Sequence, residues 1–135
     1  MFIGDPNAQY YMEQGDYPRA LEYYGKSLDI QLVKLGADHL RVATTYGDMA
    51  KVYKSQRDYR QALKYYRMSL DIQLVKLGAD HLEVAETYLD LGEVCREQQD
   101  YDQALKYFEK CVEIGLSKLS EDYLRQEGAL AIRVG

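Results

Sequence analysis

The hexapeptide Leu-Gly-Ala-Asp-His-Leu stands at residues 35–40 and again at 77–82, which sets a period of 42 residues. The match runs well past the hexapeptide. LDIQLVKL occupies 28–35 and again 70–77, and roughly 23 of the 42 positions over 35–76 recur identically one period later. Self-similarity at a period of about 20 to 50 residues marks a solenoid, in which no unit buries its apolar face alone and neighbouring units must stack. What such a chain does is then a question about the surface that stacking creates.

Composition narrows that question. A chain of 135 residues, 47% hydrophobic and 29% charged, has enough apolar sequence for one domain with a continuous core. A net charge of −5 and a pI near 5.0 argue against nucleic acid or an anionic membrane surface as the ligand, because both select clustered Lys and Arg. The N-terminal MFIGDPN has neither the basic nor the apolar region of a signal peptide, and no apolar run approaches membrane-spanning length. With only Cys95 and Cys111, in no CxxC pair, a reducing, cytoplasmic setting is expected.

The period divides the chain into a partial repeat over 1–34, complete repeats over 35–76 and 77–118, and a partial repeat or capping helix over 119–135, all in a single domain. Each complete repeat holds two stretches with apolar residues at helical spacing. In the second unit Val42, Tyr46, Met49, Ala50 and Tyr53 form one stripe. The pattern predicts helices over 6–14, 17–34, 39–55, 59–76, 81–97 and 101–118. It predicts a seventh over 123–133, with Leu124, Leu130 and Ile132 as its apolar face and Asp122 as its cap. The other caps are expected to be Asp5, Asp16, Asp38, Asp58, Asp80 and Asp100, with Gly36 and Gly78 as helix stops. The helix over 59–76 is apolar on two sides, Tyr59, Ala62, Leu63, Tyr66, Leu70 and Leu74 on one and Tyr65, Met68, Ile72 and Val75 on the other. It is expected to be sandwiched between its own repeat and the next.

Fourteen tyrosines invite a reading as an aromatic site, but the period places twelve of them in columns such as Tyr17, Tyr59 and Tyr101, leaving Tyr10 and Tyr123 outside. They are expected to pack helix against helix. The small residues Ala50, Gly92, Ala62 and Ala104, with Tyr66 and Phe108 four residues after the latter pair and with Tyr46, Tyr88, Tyr59 and Tyr101, resemble the tetratricopeptide repeat. The long second helix and the LGADHLxVA junction look like the 42-residue form of kinesin light chains. The resemblance implies an all-α, right-handed superhelical solenoid of antiparallel helix pairs and a non-enzymatic protein-interaction scaffold. Such repeats often carry a pair of asparagines before the small residue of the first helix. This chain has Gly47-Asp48 and Leu89-Asp90 there.

No residue pattern points to catalysis. The chain lacks GxSxG, P-loop and HExxH motifs, and no cofactor is expected. His39 and His81 each supply one nitrogen at a junction beside an aspartate, too few ligands for a metal, and are expected at helix starts on the surface. Cys95 and Cys111 are expected to act as small buried hydrophobes.

The faces of the first helices opposite their core stripes remain. In tetratricopeptide arrays this face lines a concave groove, and here it comprises Thr44, Gly47, Asp48, Lys51 and Lys54 (with Ser55), then Glu86, Leu89, Asp90, Glu93, Arg96 and Glu97. The expected ligand is a protein or peptide, with Leu89 beside an apolar anchor, a mildly positive second unit and a clearly negative third. The bland alternative is that these are solvated helix faces. A different alternative is a piece of a longer array, or an engineered repeat array, that forms homo-oligomers through its open terminal helices.

Overall fold

The computed structural model describes residues 6–134, with side chains through residue 127. It comprises α1 (Pro6–Glu13), α2 (Tyr17–Leu35), α3 (Leu40–Ser55), α4 (Tyr59–Leu77), α5 (Leu82–Glu97) and α6 (Tyr101–Val134). No strand occurs among the described residues. Each helix packs chiefly on its neighbours in the chain, and the short junctions make successive helices antiparallel. The expected cap at Asp5 lies outside the described residues.

The turn inside each helix pair is built from the sequence in the same way three times. The Tyr53 carbonyl accepts from the Asp58 N–H and the Lys54 carbonyl from the Arg57 N–H, both at 2.9 Å, and Cys95, Arg96, Gln99 and Asp100 repeat the arrangement. These paired bonds satisfy carbonyls that a helix end leaves open, and they require a left-handed residue. That residue is Gly15 in the first unit, but Arg57 and Gln99 in the others, with φ of 63° and 64°. Asp16, Asp58 and Asp100 then cap α2, α4 and α6, each accepting at 3.3 Å from the N–H three residues on.

The junction between repeats differs from the expectation. The cap of α3 is His39 and not Asp38: its Nδ1 accepts from the Arg41 N–H at 3.0 Å. His81 rather than Asp80 caps α5 in the same way, accepting from Glu83 at 3.1 Å. Freed from capping, Asp38 pairs with Lys76 Nζ at 3.6 Å and Asp80 accepts from the Ser117 hydroxyl at 3.5 Å, tying the end of each second helix to the start of the same repeat.

The predicted seventh helix is absent as a separate element, because α6 continues through Asp122 to Val134. One and two periods earlier Gly78 and Gly36 stop α4 and α2 at φ of 89° and 91°. Ser120 and Tyr123 stand where the stop glycine and the capping histidine would be, so nothing breaks the helix. Asp122 pairs with Arg125 instead of capping. The side chains of Leu130 and Ile132 lie outside the described residues.

Three apolar clusters run along the stack, each spanning a repeat boundary. Ala8, Ala20 and Tyr24 meet Met49 and Val52; Val42, Ala43, Tyr46 and Ile72 pack with Leu28 and Leu32; Ala50, Ala62, Tyr66 and Leu70 meet Val84, Leu91, Val94 and Ile114. The two-sided character of α4 is borne out, with Ile72 turned to its own α3 and Leu70 to α5, except that Val75 is exposed. A polar bond recurs at each boundary. Thr45 Oγ1 donates to Gln31 at 2.8 Å and Thr87 Oγ1 to Gln73 at 2.6 Å.

The tyrosine columns explain the ring pairs. Tyr11 stacks on Tyr23 at 5.5 Å and Tyr53 on Tyr65 at 5.4 Å between centroids. In the third unit Cys95 replaces that partner and is buried, and Tyr107 stacks on Tyr88 instead. Cys111 is half-buried. Tyr101 is exposed, with no following helix pair packed on its column among the described residues.

Candidate functional site

The sequence-predicted residues gather unequally. Thr44, Gly47, Asp48 and Lys51 from α3 face Glu86 and Asp90 from α5 across a recess of about 220 Å³. Helical spacing explains the grouping, since these positions are three, four or seven apart and share one face of each helix. The floor comes from α4, which presents Tyr66, Ser69 and Gln73, and Glu83 and Thr87 complete the wall. Sequence reasoning did not place these five residues in the groove. Tyr66, Ser69 and Gln73 also fall at helical spacing, and this edge between the two apolar stripes of α4 is the signal that would have found them.

Lys54 and Glu93 lie beside the recess and are committed to each other. Their salt bridge spans α3 and α5 at 3.2 Å with both side chains about one-third exposed. This pair weakens the expected contrast without removing it: Lys51 then stands against Asp48 in the second unit, while Glu86, Asp90 and Glu97 against Arg96 keep the third negative. Leu89, Arg96 and Glu97 are exposed and outside the recess.

The recess is acidic, and Asp48 and Asp90 are half-buried in it. Burial is the main influence on Asp48 and Asp90 and pushes both carboxyls above the ordinary aspartate range, while the Lys51 ammonium pulls both back. Tyr66 is held well above the usual phenol value, first by burial and then by the carboxylates of Asp90, Glu93 and Asp48. Gly47 opens the space above the floor: a Cβ there would meet only Ser69 Oγ, at 3.8 Å. Thr44 turns its hydroxyl back to the Leu40 carbonyl and Thr87 gives its own to Gln73, so both offer the groove little. Among the described residues no three His, Cys, Asp or Glu side chains converge as a metal site would require. No helix among them is long and apolar enough to cross a membrane.

A tetratricopeptide-repeat family model matches residues 6–74 and 69–117. No curated protein sequence matches the chain. Among solved structures, BtubC (BKLC) from P. vanneervenii superposes with a TM-score of 0.75 at 27% identity, over 79% of this chain and 42% of that one. A Podosopora anserina putative kinesin light chain with nearly identical TPR-like repeats gives 0.72 at 19% identity, over 82% and 53%. A variant form of that protein gives 0.73 at 19%, over 82% and 52%. The chain thus spans about half the length of the solved structures it matches. With the 42-residue period, the paired helices stacked through small residues and the family match over most of its length, the chain belongs to the tetratricopeptide-repeat family.

Proposed function

We propose that this chain is a non-enzymatic, cytoplasmic interaction module that holds an extended segment or helix of a partner protein against the recess between α3 and α5. Tetratricopeptide repeats generally mediate protein–protein interaction, and the observation that supports this surface is the recess itself. It joins two units, exposes polar groups over a buried floor, and has Gly47 where a larger side chain would close it. A partner segment with basic residues suits its charge, with complementarity acting mainly through association rate and salt dependence. The test is affinity capture with mass spectrometry, comparing the parent with Asp48→Lys/Asp90→Lys. Loss of the captured partner from the variant is expected. An identical partner set and yield would move the binding surface elsewhere.

A second reading, self-association through the open end, has its own observation. Tyr59, Leu63, Leu70 and Leu74 of α4 pack into the cluster shared with α5. Their counterparts one period later, Tyr101, Leu105, Val112 and Leu116 of α6, are all exposed. An apolar stripe of that extent is unusual on a free surface.

A further inference from the structure

We propose that the recess between α3 and α5 is a subsite for a single alkylammonium or guanidinium group, carried by a lysine or arginine side chain of the bound segment and held between the carboxylates of Asp48 and Asp90. The inference rests on the groove reading above and names the chemistry that the groove selects. It draws on the floor as much as on the walls. Tyr66 and Ser69 are each only 3% exposed and line the recess, yet neither hydroxyl has a hydrogen-bond partner among the described residues. No buried side-chain oxygen among the described residues lacks a partner, so these two hydroxyl oxygens reach the open space of the recess, where each can accept from a donor that arrives from outside.

The charge around the recess identifies that donor. Asp48, Glu83, Glu86 and Asp90 line it against one ammonium, that of the exposed Lys51. Lys51 makes no ion pair among the described residues, so it balances the walls at a distance and leaves their oxygens open to ligand. An anionic side chain would meet four carboxylates, and an apolar one would leave both carboxylates and hydroxyls unsatisfied. A cation offers three or more donors to these same oxygens, in charge-assisted bonds about twice as strong as neutral ones. Size points the same way. The recess lies below the roughly 300 Å³ at which small-molecule pockets begin, and fits one side chain rather than a whole ligand. Burial already holds both aspartates in an environment unfavourable to their charge, which a paired cation would relieve.

The experiment titrates the ¹⁵N-labelled protein at low salt with acetyl-Ala-Ala-Lys-Ala-Ala-amide, its norleucine and glutamate counterparts, and butylammonium. Saturable shifts of the Gly47, Ser69 and Asp90 amides are expected with the lysine peptide. The norleucine and glutamate peptides and the free amine should each bind at least about tenfold more weakly. Asp48→Asn/Asp90→Asn should cost the lysine peptide about tenfold or more with the rest of the spectrum retained, and Ser69→Ala several-fold. A lysine peptide that binds no better than the norleucine one, or equally well to the double variant, overturns the subsite. Equal affinity for butylammonium overturns its assignment to a peptide side chain. If the norleucine or glutamate peptide moves these amides and the lysine peptide does not, the groove stands and the subsite falls. If no peptide moves them, both fall.

Discussion

Gly15, Arg57 and Gln99 occupy one column of the repeat, and all three have positive φ, although only the first is free of a Cβ. An L-residue in the left-handed region costs roughly 1–2 kcal/mol, partly offset by the larger entropy that glycine loses on folding. Gln99→Gly and Arg57→Gly should therefore each stabilise the fold by up to about 1 kcal/mol, read as a higher urea midpoint at unchanged m-value. A lowered midpoint would mean that the side chains at these turns do more than endure the conformation. Asp48 carries a second residue-scale prediction. Its folded pKa lies above the ordinary aspartate value of 3.8, first because of burial. A carboxyl raised in this way favours the fold only when protonated, so it penalises the folded state above both pKa values and ceases to do so below both. Asp48→Asn should raise the melting temperature at pH 7, and its advantage over the parent should shrink as pH falls toward and below 3.8. An advantage independent of pH would point to packing rather than charge. The histidine caps show a limit of reading at this scale. Asp38 and Asp80 have the conventional capping side chain, but the helix starts one residue later than the aspartates suggest, and the imidazole of the next residue reaches the free N–H instead.

Helices and their partners were legible where the period and the 3.6-residue pattern agreed. The second stripe of α4 showed from Tyr65 and Ile72 that the helix would be covered on both sides, although Val75 ends up in solvent. The end of α6 was not legible from the alignment of Asp122 with Asp80 alone, because the stop lies in Gly78 and His81, and α6 has Ser120 and Tyr123 in their place. The groove was half legible. Its α3 and α5 walls follow from the helix face opposite the core, whereas Tyr66 read as core from its place in the first apolar stripe of α4, and Ser69, between the two stripes, lines the recess beside it. Two glycines within helices separate packing from propensity. A Cβ at Gly92 would come within 2.5 Å of Cε1 of the Phe108 ring, whereas one at Gly47 meets only Ser69 Oγ at ordinary contact distance. Alanine gains about 1 kcal/mol over glycine in a helix interior, and overpacking costs about 1–3 kcal/mol. Gly47→Ala should therefore stabilise by up to about 1 kcal/mol, and Gly92→Ala should destabilise despite its better propensity. Equal effects in chemical denaturation would show that the Phe108 ring moves aside at little cost.

For the whole molecule, the stack presents an acidic recess at one repeat boundary and an uncovered apolar face at its end. The two surfaces make separable predictions. Leu105→Lys/Leu116→Lys replaces exposed side chains on α6 and should not affect the recess. It should abolish any concentration-dependent association seen by sedimentation velocity and leave partner capture intact. Association that persists in this variant would rule out the α6 face as its origin. The central claim, that partners bind the recess formed by α3 and α5, is tested most directly by site-specific photo-crosslinking with benzoylphenylalanine. The substituted positions are Thr44 and Glu86 on the recess, Leu116 on the open face and Lys64 on the solvent-facing side of α4. The account predicts that one partner protein is captured from both Thr44 and Glu86 and is absent from Lys64. Capture of that partner from Lys64 alone, with none from Thr44 or Glu86, would contradict it.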